Sequence, residues 1–148
     1  MAESSITPKV EQEEVISVCL RSAKQYGEKG LHEEAVNVLK AALTIEPDNT
    51  EVLTTLAFAY FQLKKYDDAL PHLQRAHQLD PSDLNAVSGI CNAFAYTRRW
   101  EEAIEQIGTL YPLHQGEALK LFRNVFVGFN NLLFTRLIEV SSKYSNEE

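Results

Sequence analysis

The chain has 148 residues, enough for one domain, and its 45% hydrophobic and 24% charged residues are typical of a folded protein rather than a disordered one. Its formal net charge is −7, and the excess acid lies in residues 1–115, which hold 10 Lys and Arg against 17 Asp and Glu. Because nucleic acids and anionic membranes are bound by neutralising their negative charge, this composition disfavours both and favours a basic partner protein.

The cysteines and the N-terminus predict a location. Cys19 and Cys91 lie in apolar helical patterns and are expected to be buried free thiols. Unpaired thiols are typical of a reducing compartment. Residues 1–6 lack the basic and apolar segments of a secretory signal and are expected to form a disordered leader. The sequence therefore predicts a cytoplasmic protein.

Apolar residues recur at helical spacing, and local signals mark where the first helices begin and end. The first helix is expected to start at Thr7 and Pro8, since the hydroxyl can cap it and proline is tolerated in the first turn. Gly30 is expected to end it. The second helix spans about 32–45, and Pro47 prevents its continuation.

Capping residues and an internal proline mark the following helices. Asp48 and Glu51 have capping-box spacing at the start of the third helix, and Ser82 is the expected cap of the fifth. The fourth helix, at about 66–79, contains Pro71. It is therefore expected either to start later than its pattern implies or to be kinked at that residue.

The helices repeat with a period of 34 residues. A ring, two acidic residues and an alanine begin the second helix of each pair, at 32–35, 66–69 and 100–103. Other columns keep the same register, which makes chance a poor explanation. These columns are Tyr26, Tyr60 and Phe94; Ala23, Ala57 and Cys91; Cys19, Leu53 and Val87; and Leu39, Leu73 and Ile107.

On these columns the sequence resembles the tetratricopeptide repeat (TPR) family, whose 34-residue units are helix–turn–helix pairs. The resemblance implies an all-α fold, with three tandem units forming an α-solenoid that is closed by an apolar C-terminal capping helix. The predicted segments are the repeat array at 7–115, its units at 16–49, 50–83 and 84–115, the C-terminal helix at 116–144 and a tail at 145–148.

The C-terminal helix carries more apolar residues than a cap needs. One stripe, which includes Leu119, Phe122 and Phe126, is expected to close the last repeat. Leu132 and Phe134 lie off this stripe and predict a second buried surface, formed by a partner, a second copy or the protein's own groove. A wider cap, or a break near 128 into two short helices, is the alternative. Charged residues interrupt the apolar run too often for a membrane span.

The resemblance also implies a binding surface, since the first helix of each TPR unit lines a concave groove. Here the groove holds Lys24 but lacks the carboxylate clamp of the TPR co-chaperones, and aromatic residues face it. This pattern favours an apolar or amphipathic helix of a partner over an acidic tail. The competing hypothesis is that the protein's own C-terminal helix fills the groove. The predicted partner-binding residues are Lys24, Thr54, Thr55, Phe58, Phe61, Ser88, Asn92, Tyr96, Leu132 and Phe134.

The sequence contains no recognisable catalytic, cofactor or metal motif. Glycine-rich phosphate loops, GxSxG, HExxH and paired CxxC are all absent. The closest two histidines, His72 and His77, do not share a helical face. The acidic pairs at 33–34, 67–68 and 101–102 lie in first turns, where they complement the helix dipole. We therefore predict a non-enzymatic protein without cofactor or metal.

Two functional hypotheses follow. The first is a small adaptor or chaperone that holds a partner's apolar helix in its groove. In size, acidity and helix number the chain is similar to the small TPR chaperones of bacterial type III secretion, which hold a needle or translocator subunit. The second is a structural subunit that forms a homodimer or docks into a larger complex through its C-terminal helix.

Overall fold

The computed structural model describes residues 9–110, 112 and 114–144, with side chains as far as residue 128 and at residue 130. Within these ranges the chain forms seven helices and no strand, so the prediction of an all-α TPR-like solenoid is confirmed. The predicted leader, the start at Thr7 and the tail lie outside the described residues. The helices are α1 (Lys9–Glu28), α2 (His32–Ile45), α3 (Thr50–Gln62), α4 (Tyr66–Leu79), α5 (Leu84–Tyr96), α6 (Trp100–Leu110) and α7 (Gln115–Tyr144).

The first helix of each pair ends in the same left-handed turn. Gly30, Lys64 and Arg98 have φ angles of 74°, 58° and 62°. In all three turns the next backbone N–H donates to the carbonyl five residues earlier, with N···O distances of 2.8 to 2.9 Å. This is the Schellman arrangement, which satisfies carbonyls that the helix end leaves open. The 34-residue period therefore holds in the backbone conformation, although Gly30 is the only one of the three residues whose type predicts the turn.

The second helix of each pair also begins in one way. The backbone N–H of Ala35, Ala69 and Ala103 donates to the carbonyl four residues earlier, at 3.1 to 3.2 Å. All three alanines are buried. The ring-acid-acid-alanine pattern thus places its acids in an exposed first turn and its alanine against the neighbouring helix.

The helix caps lie one residue later than the sequence predicted. Asn49, and not Asp48, caps α3, since its Oδ1 accepts the N–H three residues on at 3.0 Å. Asp48 instead pairs with Arg75, with an Nη2···Oδ1 distance of 2.7 Å. At the start of α5, Asp83 accepts the N–H two residues on at 2.9 Å, while the Ser82 hydroxyl donates to the carboxylate two residues before it. Spacing alone did not distinguish adjacent polar residues.

Helix α4 contains Pro71 in its second turn and begins at Tyr66, as the repeat pattern predicts. The alternative of a later start was therefore wrong. The Pro71 ring is exposed, so it displaces no core side chain. Its missing N–H removes a single intrahelical hydrogen bond in the second turn, and α4 nevertheless continues to Leu79.

Backbone contacts divide the chain into two compact units, Met1–Gly89 and Ile90–Glu148. In the first, α1 packs on α2, α2 on α3, and α3 on α4. Its core is aliphatic, with Leu39, Val52 and Leu56 fully buried. In the second unit α6 packs on α7.

The face of α7 that packs inward is not the predicted one. Leu121 and Val125 are buried together with Ala118, whereas the predicted core stripe of Leu119, Phe122 and Phe126 is between 42% and 58% exposed. The physical reason is that this face lets α7 approach the neighbouring helix more closely. The buried residues and Gly128 advance by three, four and three positions, and a Cβ added at Gly128 would lie 3.0 Å from the Trp100 ring. Small side chains on this face allow dense packing that the larger stripe prevents.

Helix α7 also runs without interruption through Gly128. The predicted alternative of two short helices broken near that residue was therefore wrong. A single glycine lowers helix propensity by about 1 kcal/mol, which is not enough to end a helix that is supported by tertiary packing.

Candidate functional site

A cleft of about 490 Å³ lies among α1, α2 and α3 in the first unit. Its walls are mostly small and apolar, and the Phe58 ring at its edge is 64% exposed. The lining residues are Ala23, Lys24, Gly27, Glu28, His32, Ala35, Leu39, Thr55, Phe58, Ala59 and Gln62. An apolar cavity of this size with a few polar groups at its rim has the usual character of a ligand site.

The cleft exists because the first repeat lacks a large side chain in α1. A Cβ added at Gly27 would meet no atom within 4 Å. The corresponding residue of the next repeat is Phe61, which is half-buried. Its ring packs edge-on against Tyr66, with the ring centroids 5.3 Å apart. Tyr66 in turn corresponds to His32, so the two repeats differ in both partners of this contact.

A second hollow, of about 330 Å³, lies against the same two helices, α1 and α3, toward their N-terminal ends. Three carboxylates line it, those of Glu13, Glu46 and Glu51, together with the apolar side chains of Ile16 and Leu20. The cleft and this hollow share no lining residue but lie along the same two helices, and we call the pair the α1–α3 furrow. The furrow is therefore acidic at one end and apolar at the other.

The structure brings three of the predicted binding residues together and leaves two of their neighbours outside. Lys24, Thr55 and Phe58 line the cleft. The Thr55 hydroxyl is engaged by its own helix, since it donates to the carbonyl four residues earlier at 2.7 Å. The Thr54 hydroxyl likewise bonds within α3, at 2.9 Å. Phe61 packs against the next helix instead of lining the cleft.

The other predicted residues lie on α5 and α7. Ser88 is half-buried in the first unit, while in the second Asn92 is half-buried and Tyr96 is 63% exposed. Leu132 and Phe134 belong to α7, but their side chains lie outside the described residues.

Sequence reasoning missed the lining residues that do not belong to the groove positions of the family. His32, Ala35 and Leu39 come from α2, the second helix of the pair, and Ala59 is a small residue of α3. The signal that could have found them is the difference between repeats, namely glycine in one copy of a column that carries phenylalanine in the next.

A polar cluster joins α2, α3 and α4 in the first unit. The Lys40 Nζ lies 5.7 Å from the centroid of the Tyr60 ring, and that ring stacks on His72 with centroids 5.8 Å apart. Burial lowers the pKa of His72, the positive charge of Lys40 lowers it further, and Asp68 opposes the shift. This histidine is therefore held toward its neutral form.

The two cysteines are free, as predicted, but only one is buried. Burial raises the pKa of the Cys91 thiol to about 12. Cys19 is half-buried, so the expectation of two buried thiols was wrong for this residue.

In the described part of the chain, no three His, Cys, Asp or Glu side chains are grouped so that they could hold a metal ion. The helices, as far as they are described, include none with the length and apolar character needed to cross a membrane.

Comparison with known proteins identifies relatives of the fold. The family model for the tetratricopeptide repeat matches residues 28–70 and 61–123. The BBSome complex member BBS4 of Bos taurus is 39% identical over 59 residues, which cover 40% of this chain and 11% of BBS4. The match thus spans about a tenth of that relative.

Solved structures with the same fold include the first TPR domain of human RPAP3, at 24% identity and a TM-score of 0.70 over 79% of this chain and 94% of that one. The second TPR domain of human RPAP3, in complex with the HSP70 peptide SGPTIEEVD, has 19% identity and a TM-score of 0.70 over 77% and 97% of the two chains. The structure named MamA AMB-1 has 26% identity and a TM-score of 0.68 over 89% and 72%.

Proposed function

The chain belongs to the tetratricopeptide repeat family and is a protein-interaction module, and we propose that its cleft among α1, α2 and α3 holds an apolar or amphipathic segment of a partner protein. The observation that carries the proposal is the exposed Phe58 ring beside a cavity of about 490 Å³ with small apolar walls. Covering the exposed part of one aromatic ring contributes roughly 2–3 kcal/mol of gross binding free energy. A partner that fills the cavity as well would gain more.

The charge of the cleft favours this class of ligand over an acidic tail. Structures with the same fold hold the peptides SGPTIEEVD of HSP70 and SRMEEVD of HSP90, both of which end in acidic residues. Lys24 is the cation among the lining residues, and Glu28 lies one turn away from it in the same cleft. A carboxylate-rich tail would meet this opposing charge, so we do not propose an acidic tail as the ligand.

Within this proposal the protein is a non-enzymatic adaptor or chaperone in the cytoplasm, with repeat units at 16–49, 50–83 and 84–115. Ser88, Asn92 and Tyr96 are proposed as further contact residues on α5. In helix number and acidity the chain resembles the type III secretion chaperones, whose cargo is a needle or translocator subunit. The most specific form of the proposal is that this chain binds such a subunit.

The proposal is tested by comparing Phe58→Asp with Val18→Asp. Both variants place a carboxylate on an exposed apolar position of the first unit, but Val18 lines neither the cleft nor the acidic hollow. Partners are recovered from the native cell with the wild-type chain and their affinities are measured with purified components by calorimetry. We expect Phe58→Asp to weaken binding at least 30-fold and Val18→Asp to leave it unchanged.

The proposal fails if Phe58→Asp retains the same partners at the same affinity while circular dichroism shows that both variants are folded. A loss of binding by both variants would also count against it, since the effect would then not belong to the cleft.

A second candidate function is assembly through α7. Leu119, Phe122 and Phe126 form an exposed apolar face, and the two phenylalanine rings stack with centroids 5.9 Å apart. The partial relative BBS4 is a member of the BBSome complex. We propose, as the alternative, that this face, together with Leu132 and Phe134 further along the sequence of α7, mediates self-association or docking into a larger complex.

Light scattering across a concentration series tests the self-associating form. A species heavier than the 16.7 kDa chain that Phe126→Asp returns to the monomer would support it. A monomer at every concentration would refute the homodimer.

A further inference from the structure

We infer that the partner inserts an aromatic side chain into the cleft, in the place that Phe61 fills one repeat later, and lays a basic side chain in the acidic hollow of the α1–α3 furrow. The inference rests on the proposed function and specifies the chemistry of the segment that the cleft would hold. The occupant is an amphipathic helix of another protein that carries both side chains on one face.

The aromatic part follows from comparing the two repeats. The column that is Gly27 in the first repeat is Phe61 in the second, and the column that is His32 in the first is Tyr66 in the second. In the second repeat these two rings pack edge-on at 5.3 Å. In the first repeat the ring of α1 is missing, while an aromatic ring, that of His32, remains at the counterpart of Tyr66. The fold thus contains its own example of how this position is filled.

The cleft has the capacity and the surface for such a ring. Its volume is about 490 Å³, and a Cβ at Gly27 would meet no atom within 4 Å, so the wall of the cleft is open at this residue. Phe58 lies at the edge with most of its ring exposed. An inserted ring would therefore contact two others, and aromatic pairs gain free energy beyond the area that they bury.

The basic part follows from the charge at the other end of the furrow. Glu13, Glu46 and Glu51 line the hollow there, beside Ile16 and Leu20. The Glu13 carboxylate lies 3.9 Å from the exposed Lys9 Nζ, and Glu46 accepts a hydrogen bond from the Asn49 amide at 2.8 Å, so the three carboxylates outnumber this nearby cation. Apolar walls next to the carboxylates suit the long aliphatic stem and charged tip of Lys or Arg. The net charge of −7 adds long-range attraction for a basic segment.

The distance between the two ends predicts the spacing in the partner. The lining residues of α1 are centred near position 17 in the hollow and near position 26 in the cleft, which corresponds to roughly 13 Å along the helix axis. A partner helix spans most of this distance in two turns. The aromatic and basic residues are therefore expected about seven positions apart, where they share one face and the flexible basic side chain reaches the remainder.

The test uses designed peptides, so that it does not depend on knowing the natural partner. Alanine-based helical peptides of sixteen residues carry one Phe and one Lys seven positions apart, in either order. Matched peptides replace the Phe by Ala or the Lys by Glu. Binding to the full chain is measured by fluorescence anisotropy at low and high salt.

The protein variants are Gly27→Phe, which supplies the missing ring, and Gly108→Phe as its control. A Cβ at Gly108 also meets no atom within 4 Å, but this residue lies on the exposed side of α6. We expect the Phe–Lys peptide to bind the wild-type chain and the control, and to bind Gly27→Phe at least tenfold more weakly. His32→Ala removes a contact without filling the cleft and is expected to weaken peptide binding at least threefold. This variant tests the inference if Gly27→Phe does not fold.

Replacing the peptide's Phe by Ala is expected to abolish binding, and replacing its Lys by Glu to weaken it at least fivefold at low salt. Equal binding of Gly27→Phe, or equal binding of the Glu peptide, would overturn the inference, as would the absence of any binding. A different result would separate the two proposals: no peptide binds, but the wild-type chain captures natural partners that Phe58→Asp does not capture. In that case the proposed function stands and this assignment of the occupant is wrong. If capture is also insensitive to Phe58→Asp, both fall.

Discussion

Two glycines three residues apart are predicted to respond in opposite ways to the same substitution. Gly27 is inside α1, whereas Gly30 forms the turn after it with a φ of 74°. A Cβ at either position would meet no atom within 4 Å. Steric contact therefore cannot distinguish Gly27→Ala from Gly30→Ala, and only the backbone conformation can.

The magnitudes follow from that conformation. Alanine in a helix is more favourable than glycine by roughly 0.5–1 kcal/mol, and Gly27 is the second-last residue of α1, so Gly27→Ala should raise the free energy of unfolding by up to about 1 kcal/mol. In the left-handed region an L-residue costs roughly 1–2 kcal/mol, of which about 0.4–1 kcal/mol is offset by the reduced freedom of the unfolded chain. Gly30→Ala should therefore lower the free energy of unfolding by about 1 kcal/mol. The two variants should differ by up to roughly 2 kcal/mol.

The assay is thermal unfolding followed by circular dichroism, supported by urea titration. For a chain of this length the expected difference corresponds to melting temperatures roughly 4–8 °C apart. Lys64→Gly provides the reverse control, because Lys64 holds the same turn with a φ of 58° and should be stabilised by about 0.5–1 kcal/mol. Changes of the same sign in Gly27→Ala and Gly30→Ala would refute the argument from the left-handed turn.

Three further measurements test other contacts. Gly89→Ala should lose about 1–3 kcal/mol of stability in thermal unfolding, because its Cβ would lie 2.7 Å from the buried Leu73 Cδ2; a gain, as helix propensity alone predicts, would contradict this. At pH 8, iodoacetamide should modify Cys19 before Cys91, whose pKa of about 12 and burial protect it until the chain unfolds; peptide mass mapping would show the order, and early modification of Cys91 would disprove the burial argument. The pKa of His72 is lowered in the folded state, so the unfolded chain binds the proton more readily and the free energy of unfolding should fall as the pH drops through about 6.5. Urea titrations should show a weaker pH dependence in His72→Gln than in the wild-type chain. The same pH dependence in both proteins would count against this prediction.

The sequence predicted the helices well because several independent signals share one period. Buried alanines, aromatic residues and acidic first turns all recur every 34 residues, and each depends on local chemistry that the chain itself carries. The left-handed turns at Lys64 and Arg98 could not be predicted from residue type, since neither residue favours a positive φ. They are imposed by the hydrogen bonds that close each helix pair.

The orientation of α7 was predicted incorrectly because hydrophobicity was given more weight than size. The most apolar stripe contains large rings, which are about half exposed here and would hold the helix away from a neighbour if they faced it. The stripe of Ala118, Leu121, Val125 and Gly128 is less hydrophobic but allows close approach, which gains dispersion contacts along its whole length. A pattern of apolar spacing alone does not rank two such faces, because the ranking depends on the shape of the partner helix.

The cleft illustrates why a candidate site in a repeat protein is not predicted by the repeat period. A period is carried by the residues that the copies share, so it contains no information about a position at which the copies differ. Gly27 occupies such a position, since the same column holds Phe61 in the next repeat. The glycine leaves its own helix intact, at a small cost in helix propensity, and leaves unfilled space beside His32 and Phe58. The apolar walls of this cleft are open to water, and covering them would be favourable, which is the physical argument for a partner side chain there.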